Sequence, residues 1–289
     1  MIWAHHYQLD KRRGTLLRVR SETGEGYCDL HPWPELGDDP LEKQLDLLKM
    51  GVLTPLTSNA LNFSRLDSQG RYSGVHLLEG LTVPESHFLL TELNDVSESL
   101  VDQACREGFQ TFKVKLGQNL KSELAILKPL LERHGTKWRL DFNGSLSPEK
   151  RDELIAADLY ADAVEFCEDP FSAQLSPFPF PIARDWEKTE TYEYRIVKPA
   201  VDDWEMIKEE KKPVVFTSYL GHPLGQVSDA YMAAESRCPE VCGLLSHRVY
   251  PKNQFSEMLS WSGPKWRSPA GTGFGFDELL KNLEWEMLI

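Results

Sequence analysis

The chain has 289 residues, of which 41% are hydrophobic and 27% are charged, as is usual for a soluble globular protein. Its net charge of −13 at pH 7 argues against nucleic acid or an anionic membrane surface as a partner, because both require basic patches. The five cysteines follow no metal-finger spacing, and no apolar run reaches membrane-spanning length or looks like a signal peptide. We therefore expect free thiols and a cytoplasmic protein.

Residues 1–84 lack a regular alternation of strands and helices, and we predict a small α+β capping domain there. The predicted elements are strands at 15–19 and 26–30, an irregular loop at 31–35 and an amphipathic helix at 40–50. Trp33 lies between two prolines in the loop. Two interpretations of this loop stay open, namely a surface connector and a lid over an active site.

Residues 85–289 alternate short apolar strands with amphipathic helices, which is typical of a parallel sheet. Eight strands are predicted, at 86–90, 111–116, 138–143, 163–168, 180–183, 194–198, 214–217 and 241–246. About eight such units in some 200 residues indicate an α/β barrel.

The strand within Thr111–Gly117 carries two lysines, Lys113 and Lys115. Side chains at positions i and i+2 of a strand share one face, so we expect the two ammonium groups to lie together and to lower each other's pKa. A lysine whose pKa approaches neutrality can act as a general base. An isolated Lys-x-Lys is more often a solvated edge, and the residues that follow decide between the two interpretations.

Three acids, an asparagine and a third lysine come at the ends of the next predicted strands: Asp141, Asn143, Glu168, Asp185 and Lys198. Because barrel active sites lie at the C-terminal ends of the strands, the three carboxylates should face a common centre. Carboxylates that converge in a partly dry pocket require a cation, and ligation by oxygen alone points to Mg²⁺. Each acid on its own would be a solvated loop residue, but the succession favours a metal site.

This layout suggests a reaction. Lysines on the second and sixth strands would stand on opposite sides of the barrel mouth. The α-proton of a carboxylate substrate is acidified when a metal stabilises the negative charge that develops on its oxygens. One lysine could remove that proton, and the other could act as an acid, as a base on the opposite face or as a fixed positive charge.

With these motifs the chain resembles the enolase superfamily, in its muconate-lactonising subgroup, and most closely the o-succinylbenzoate synthase family of menaquinone biosynthesis. The resemblance runs from about Gly26 to the end, with motifs at Lys113–Lys115, Leu140–Asn143, Glu168–Pro170, Val197–Pro199, Thr217–Gln226 and Gly271–Phe276. It implies a modified TIM-type (β/α)7β barrel with an N-terminal cap, to which the C-terminal tail can return. A lysine base with Mg²⁺ is a general feature of enolase-superfamily sites.

The resemblance also implies roles. Lys115 would be the base and Lys198 would stabilise an enediolate from the opposite face, while Lys113 would complete the catalytic lysines. Asp141, Glu168 and Asp185 would hold Mg²⁺. The small-molecule dicarboxylate substrate, 2-succinyl-6-hydroxy-2,4-cyclohexadiene-1-carboxylate, would lose water to give 2-succinylbenzoate. The implied substrate-binding residues are Asn143, Ser218, Gly221, Gly271, Thr272 and Gly273.

Some features leave alternatives open. The family usually has Glu directly after the third metal ligand, whereas Asp185 is followed by Trp186, so Glu187 could be the ligand instead. An N-acylamino-acid racemase, a dipeptide epimerase or a cycloisomerase would use the same lysines. No Asp-x-Asp pair lies near Ser218 to grip a dipeptide ammonium. A Schiff-base aldolase using Lys198 would leave the acids unexplained, as would a non-catalytic binding protein. The oligomeric state stays open, a monomer included.

Overall fold

The structure, a computed structural model, describes residues 1–22, 24–93, 96–132, 135–172, 177–186 and 191–289. The N-terminal part contains strands β1 (Ile2–Leu9), β2 (Arg12–Ser21) and β3 (Gly24–Leu30), then helices α1 (Leu41–Lys49) and α2 (Pro55–Ser73). The three strands form an antiparallel meander, and α2 packs on β3. This arrangement gives the cap one sheet with a helix against it.

The sequence did not predict β1 or α2. The first three residues of β1 are all buried, so the strand begins without the alternation that marks a half-buried strand. Helix α2 buries Thr57, Ser64, Asp67 and Ser68 along with its apolar side chains, which weakens its hydrophobic pattern. Local interactions determine where α2 begins and ends. Thr54 caps its N-terminus in a capping box, and Gly74 ends it with a φ of 68°.

Seven parallel strands follow in one curled sheet: β4 (Phe88–Leu90), β5 (Thr111–Lys115), β6 (Lys137–Asp141), β7 (Val164–Glu168), β8 (Ile182–Arg184), β9 (Tyr194–Val197) and β10 (Val214–Phe216). The strands pair in chain order, each with the next. Helices α3 (Glu98–Arg106), α4 (Leu120–Leu131), α5 (Pro148–Ala156), α6 (Trp204–Ile207) and α7 (Pro223–Glu235) connect them or follow them. The predicted α/β barrel architecture with an N-terminal cap is confirmed.

The predicted eighth strand at 241–246 is wrong as a strand. Cys242 forms a single bridge to Ser86 and Gly243 forms another to Thr217, so the segment touches both edges of the sheet. Each edge is joined through one residue, as when the Cys242 N–H donates to the carbonyl of Glu85. The segment therefore closes the barrel through isolated β-bridges to the two edges and not through a continuous β-ladder.

The remaining elements are α8 (Gln254–Met258), the hairpin β11 (Ser260–Ser262) with β12 (Lys265–Arg267), α9 (Asp277–Lys281) and β13 (Glu286–Met287). Strand β13 pairs with β1, so the end of the described chain lies on the cap sheet. The division into domains 1–84 and 85–289 stays a prediction. Over the residues that the structure describes, no helix is both long and apolar enough to cross a membrane.

The barrel core offers a test of packing. Leu127 on α4 is completely buried, whereas its neighbour Ile126 is only partly buried. We expect Leu127→Ala to lower the free energy of unfolding by about 2–5 kcal/mol, because it leaves a cavity between α4 and the sheet. Ile126→Ala, the matched control, should cost clearly less in chemical denaturation. Equal losses for the two variants would contradict this packing.

Candidate active site

A cavity of about 130 Å³ opens at the C-terminal ends of the barrel strands. Most of the residues predicted from the sequence line it: Lys113, Lys115, Asp141, Asn143, Glu168, Asp185, Lys198 and Ser218. Parallel pairing in register produces this gathering, since Lys115 lies beside Asp141 and Asp141 beside Glu168. Asn143, just past β6, adopts a φ of 47° at the cavity wall.

Lys113 lies between two carboxylates. Its Nζ is 2.6 Å from Oε2 of Glu168 and 3.0 Å from Oδ2 of Asp141, and the side chain is almost fully buried. Burial disfavours its charged form, but Asp141 and Glu168 outweigh burial and raise the pKa of Lys113. The expectation that the paired lysines lower each other's pKa is therefore wrong for Lys113, because the acids are closer partners.

Lys198 stands on β9's end, across the cavity. Its ammonium group pairs with Asp185 and lies 5.5 Å from the centre of the Trp186 ring. Burial lowers its pKa, but Asp185 and Glu168 more than compensate, so the pKa of Lys198 is raised. Lys198 is therefore a permanently positive group at neutral pH.

Lys115 differs from the other two lysines. It ends β5 and is exposed, and within the described ranges it has no ion-pair partner. Among the described residues, Lys115 is therefore the lysine of the three whose ammonium group forms no ion pair with a carboxylate. A side chain of this kind can turn towards a bound substrate without breaking an existing contact.

The acids supply oxygen ligands only. Burial raises the pKa of Glu168 to about 7, an effect that the charge of Lys113 opposes. Across the described residues no three His, Cys, Asp or Glu side chains are close enough to hold a metal ion. Lys113 separates Asp141 from Glu168, and Lys198 holds Asp185. The carboxylate oxygens nevertheless fit a hard divalent cation, because Asp141 and Glu168 already share one positive group, the ammonium of Lys113. Glu187 lies outside the described residues.

Asp169 positions the backbone of Asp185, the third acid of the cavity, a role that the sequence did not reveal. Its φ is 39°, and its carboxylate accepts hydrogen bonds from the N–H groups of Asp185 at 3.0 Å and Trp186 at 3.2 Å. It is buried, next to Glu168. These bonds fix where the backbone turns after β8 and hence where the Asp185 carboxylate points.

This geometry makes a prediction for Asp169. We expect Asp169→Ala to weaken the affinity for Mg²⁺ roughly 10–100-fold, as is usual when a group that orients a metal ligand is lost. Calorimetric titration with Mg²⁺ measures the affinity directly. Asp162→Ala, an exposed aspartate on the same stretch of barrel, is the control and should bind as the wild type does. Unchanged affinity in Asp169→Ala would show that the turn does not need this carboxylate.

The cap supplies part of the cavity wall. Trp33 and Leu36 line the cavity, and the guanidinium of Arg12 stacks 3.5 Å from the Trp33 ring centre. Asp38 accepts one bond from the Trp33 N–H at 2.7 Å and another from the Tyr219 hydroxyl at 2.9 Å. This placement favours the interpretation of the loop as a lid over the site. Tyr219 and Trp186, which also line the cavity, were not predicted.

Of the two predicted binding loops, the one at Ser218 and Gly221 reaches the cavity in part, and the one at Gly271–Gly273 does not reach it. Ser218 reaches the cavity and receives a 2.6 Å hydrogen bond from Ser246, whereas Gly221 lies behind it against Asp29. The structure does not bring Gly271, Thr272 and Gly273 to the cavity. The Thr272 N–H donates to Asp277 and the Gly273 N–H to Val75. This glycine stretch therefore joins the C-terminal region to α2.

The chain is similar to known proteins in sequence and in fold. A family model described as "O-succinylbenzoate synthase, N-terminal domain" matches residues 2–70. An o-succinylbenzoate synthase of Bdellovibrio bacteriovorus is 32% identical over 308 aligned positions, covering 96% of this chain and 92% of the relative.

Solved structures show the same fold at low identity. A dipeptide epimerase from Enterococcus faecalis V583 superposes with a TM-score of 0.73 at 15% identity, covering 95% of this chain and 98% of the other. An enolase-superfamily member of unknown function from the same organism gives a TM-score of 0.74 at 14% identity, covering 100% and 98%. The L-Ala-D/L-Glu epimerase from Bacillus subtilis gives 0.73 at 15% identity, covering 95% and 97%.

Proposed function

The chain belongs to the o-succinylbenzoate synthase family of lyases in the enolase superfamily, and from this membership we propose its reaction. It dehydrates 2-succinyl-6-hydroxy-2,4-cyclohexadiene-1-carboxylate to 2-succinylbenzoate with Mg²⁺, a step of menaquinone biosynthesis. The observation that carries the proposal is the gathering of three lysines and three acids in one cavity at the strand ends. We place the enzyme in the cytoplasm, in keeping with its free cysteines.

Asp141, Glu168 and Asp185 are the residues that would hold Mg²⁺. When bound, the metal supplies the positive charge that stabilises the substrate carboxylate as its α-proton leaves. With the metal bound, Lys113 and Lys198 would give up their ion pairs with Glu168 and Asp185 and contact other groups around the occupied site. The three lysines balance the three acids of the cavity, so a bound divalent cation would make it positive and able to attract a dicarboxylate, although the whole chain is acidic.

Lys115 is the proposed base. In its neutral amine form, the unpaired side chain takes the α-proton onto Nζ, the C–H electrons enter the ring as negative charge develops on the carboxylate, and the ammonium so formed then protonates the leaving hydroxyl. Water departs and the ring becomes aromatic. Proton removal and return occur on the same side, which makes the elimination syn.

Lys198 is the proposed fixed cation on the opposite face. Asp185 and Glu168 raise the pKa of Lys198 where it pairs with them, and in the proposed reaction it keeps its proton and does not act as the base. Its charge stabilises the enediolate while Lys115 moves the proton. The asymmetry between the two lysines supports elimination over a two-base racemisation.

The direct test uses purified enzyme and the synthetic diene substrate. With Mg²⁺ present, the absorbance of the benzoate product should rise with enzyme concentration, stop on chelation and resume when Mg²⁺ is restored. A Mg²⁺-loaded enzyme that leaves the diene unchanged contradicts the proposal. Exchange of the α-proton of dipeptides or N-acylamino acids in D₂O at a comparable rate would instead favour an epimerase, a racemase or a related activity.

A further inference from the structure

The loop Thr217–His222 forms part of the cavity wall in a strained conformation. Leu220, whose side chain lines the cavity, has a φ of 54°, a left-handed value that a leucine rarely adopts. Such a conformation persists only where the surroundings fix it. The Tyr250 hydroxyl donates to the Leu220 carbonyl at 2.8 Å, so at least one group holds the loop from outside the cavity.

A side chain of the cap also contacts this loop. Oδ2 of Asp29, on β3, accepts the His222 N–H at 2.8 Å, while Oδ1 accepts the Tyr7 hydroxyl at 2.5 Å. Tyr7 belongs to β1, so one carboxylate joins two cap strands to the start of α7. The loop and the cap therefore meet at this carboxylate, in addition to the bond from the Tyr219 hydroxyl to Asp38.

Two glycines make room for this carboxylate. A Cβ at Gly221 would lie 2.4 Å from Oδ2 of Asp29, and a Cβ at Gly225 would lie 2.6 Å from the same atom. Both distances are far shorter than real contacts allow. Any larger residue would push the carboxylate away, so the loop and the first turn of α7 are shaped around Asp29.

Among the described residues, no cation faces this acid to offset the free-energy cost of burying it. The groups that face Asp29 are Tyr7 and Tyr250, the histidines His31 and His222, and Asp229 of α7. Burial lowers the pKa of His222 to about 3 and that of His31 to about 4, so both rings are neutral. Burial also raises the pKa of Asp29 to about 7. A carboxyl group in such surroundings costs stability, which its two hydrogen bonds only partly offset.

We propose that Asp29 is a positioning residue that couples the cap to the substrate loop, holding the backbone at His222 so that Ser218 and Leu220 keep their places in the cavity. This inference rests on the proposed function of the cavity, although the coupling itself does not. Asp229 of α7 lies on the other side of the loop, and the Tyr219 backbone and the Ser218 side chain both favour its charged form. The loop thus lies between one carboxyl group of the cap and one of α7.

The test compares a disruptive with a conservative change. Asp29→Ala removes both bonds, and we expect it to raise KM about tenfold or more while kcat changes less than threefold, since a misplaced loop weakens binding of the ground and transition states alike. Asp29→Asn should retain nearly normal KM, because its oxygen can accept the His222 N–H while its amide donates to the Tyr7 oxygen. Asp46→Ala, an exposed cap variant, is the control.

A second measurement needs no substrate. In hydrogen exchange, the peptide that covers residues 217–226 should lose protection in Asp29→Ala and keep it in Asp29→Asn, while the peptide that contains β5 stays unchanged. If Asp29→Ala does not fold, Gly225→Ala disturbs the same contact from the barrel side and should give the same signature.

The two measurements separate the coupling from the reaction. Normal protection of 217–226 in a folded Asp29→Ala protein, or normal KM in both variants, overturns the coupling. A wild type that does not convert the diene overturns the proposed function, yet the exchange result still decides whether Asp29 holds the loop.

Discussion

Lys115→Arg should lower kcat by roughly 10²–10⁴-fold, the contribution usual for a general acid–base group. Guanidinium is too weak an acid to supply a base at neutral pH, so the variant keeps the positive charge and loses the chemistry. The exposed, unpaired position of Lys115 means that the substitution disturbs no ion pair within the described chain. The fold and the affinity for Mg²⁺ should therefore remain close to those of the wild type.

Lys198→Arg is the matched control for this experiment. It keeps a cation opposite Lys115 and next to Asp185, so a measurable fraction of the activity should remain. Exchange of the substrate's α-proton with solvent deuterium, followed by NMR, should disappear in Lys115→Arg only. If Lys115→Arg still exchanges the proton while Lys198→Arg is inactive, the roles of the two lysines are reversed.

The second large effect is expected at Glu168. Glu168→Gln should abolish Mg²⁺ binding and with it the activity, because a neutral amide cannot replace a carboxylate at a hard divalent cation. It also leaves the buried ammonium of Lys113 with Asp141 as its remaining acidic contact, which further opposes binding of a cation. Calorimetric titration with Mg²⁺ and the product assay measure the two losses separately.

Glu149→Gln, an exposed change on α5, is the control for the loss of charge. Both variants should give the circular dichroism spectrum of the wild type. Full activity of Glu168→Gln, or activity of the wild type that survives complete chelation, would remove the metal from the mechanism.

The sequence was sufficient to locate the charged residues of the cavity. All of them except Lys113 end a strand or directly follow one, and parallel strands paired in chain order bring their C-terminal ends to one edge, so spacing along the chain became proximity in space. What the spacing could not reveal is which charges pair. Lys113 was expected beside Lys115, but its ammonium reaches Asp141 and Glu168 instead, since opposite charges were available on the neighbouring strands.

Residues that act through the backbone gave no signal. Asp169 accepts hydrogen bonds from two backbone N–H groups, which no side-chain pattern indicates. Trp33 lines the cavity because of the way the cap docks on the barrel, so the sequence left its role open. A glycine-rich stretch at Gly271–Gly273 looked like an anion site, but its N–H groups are occupied by Asp277 and Val75. Docking and backbone hydrogen bonds are tertiary properties that no local pattern records.

The pairing of β13 with β1 has a consequence for how the protein is made. Trp3 precedes the barrel in the chain and leaves the ribosome before it, whereas its partner Met287 emerges only after the barrel. Until then β1 has β2 on one side and an open edge on the other, and open edges can recruit strands of other chains. A pairing across almost the entire chain also closes slowly. The cap sheet is therefore completed only after the barrel has been synthesised, and nascent chains are most exposed to association while β1 lacks its second neighbour.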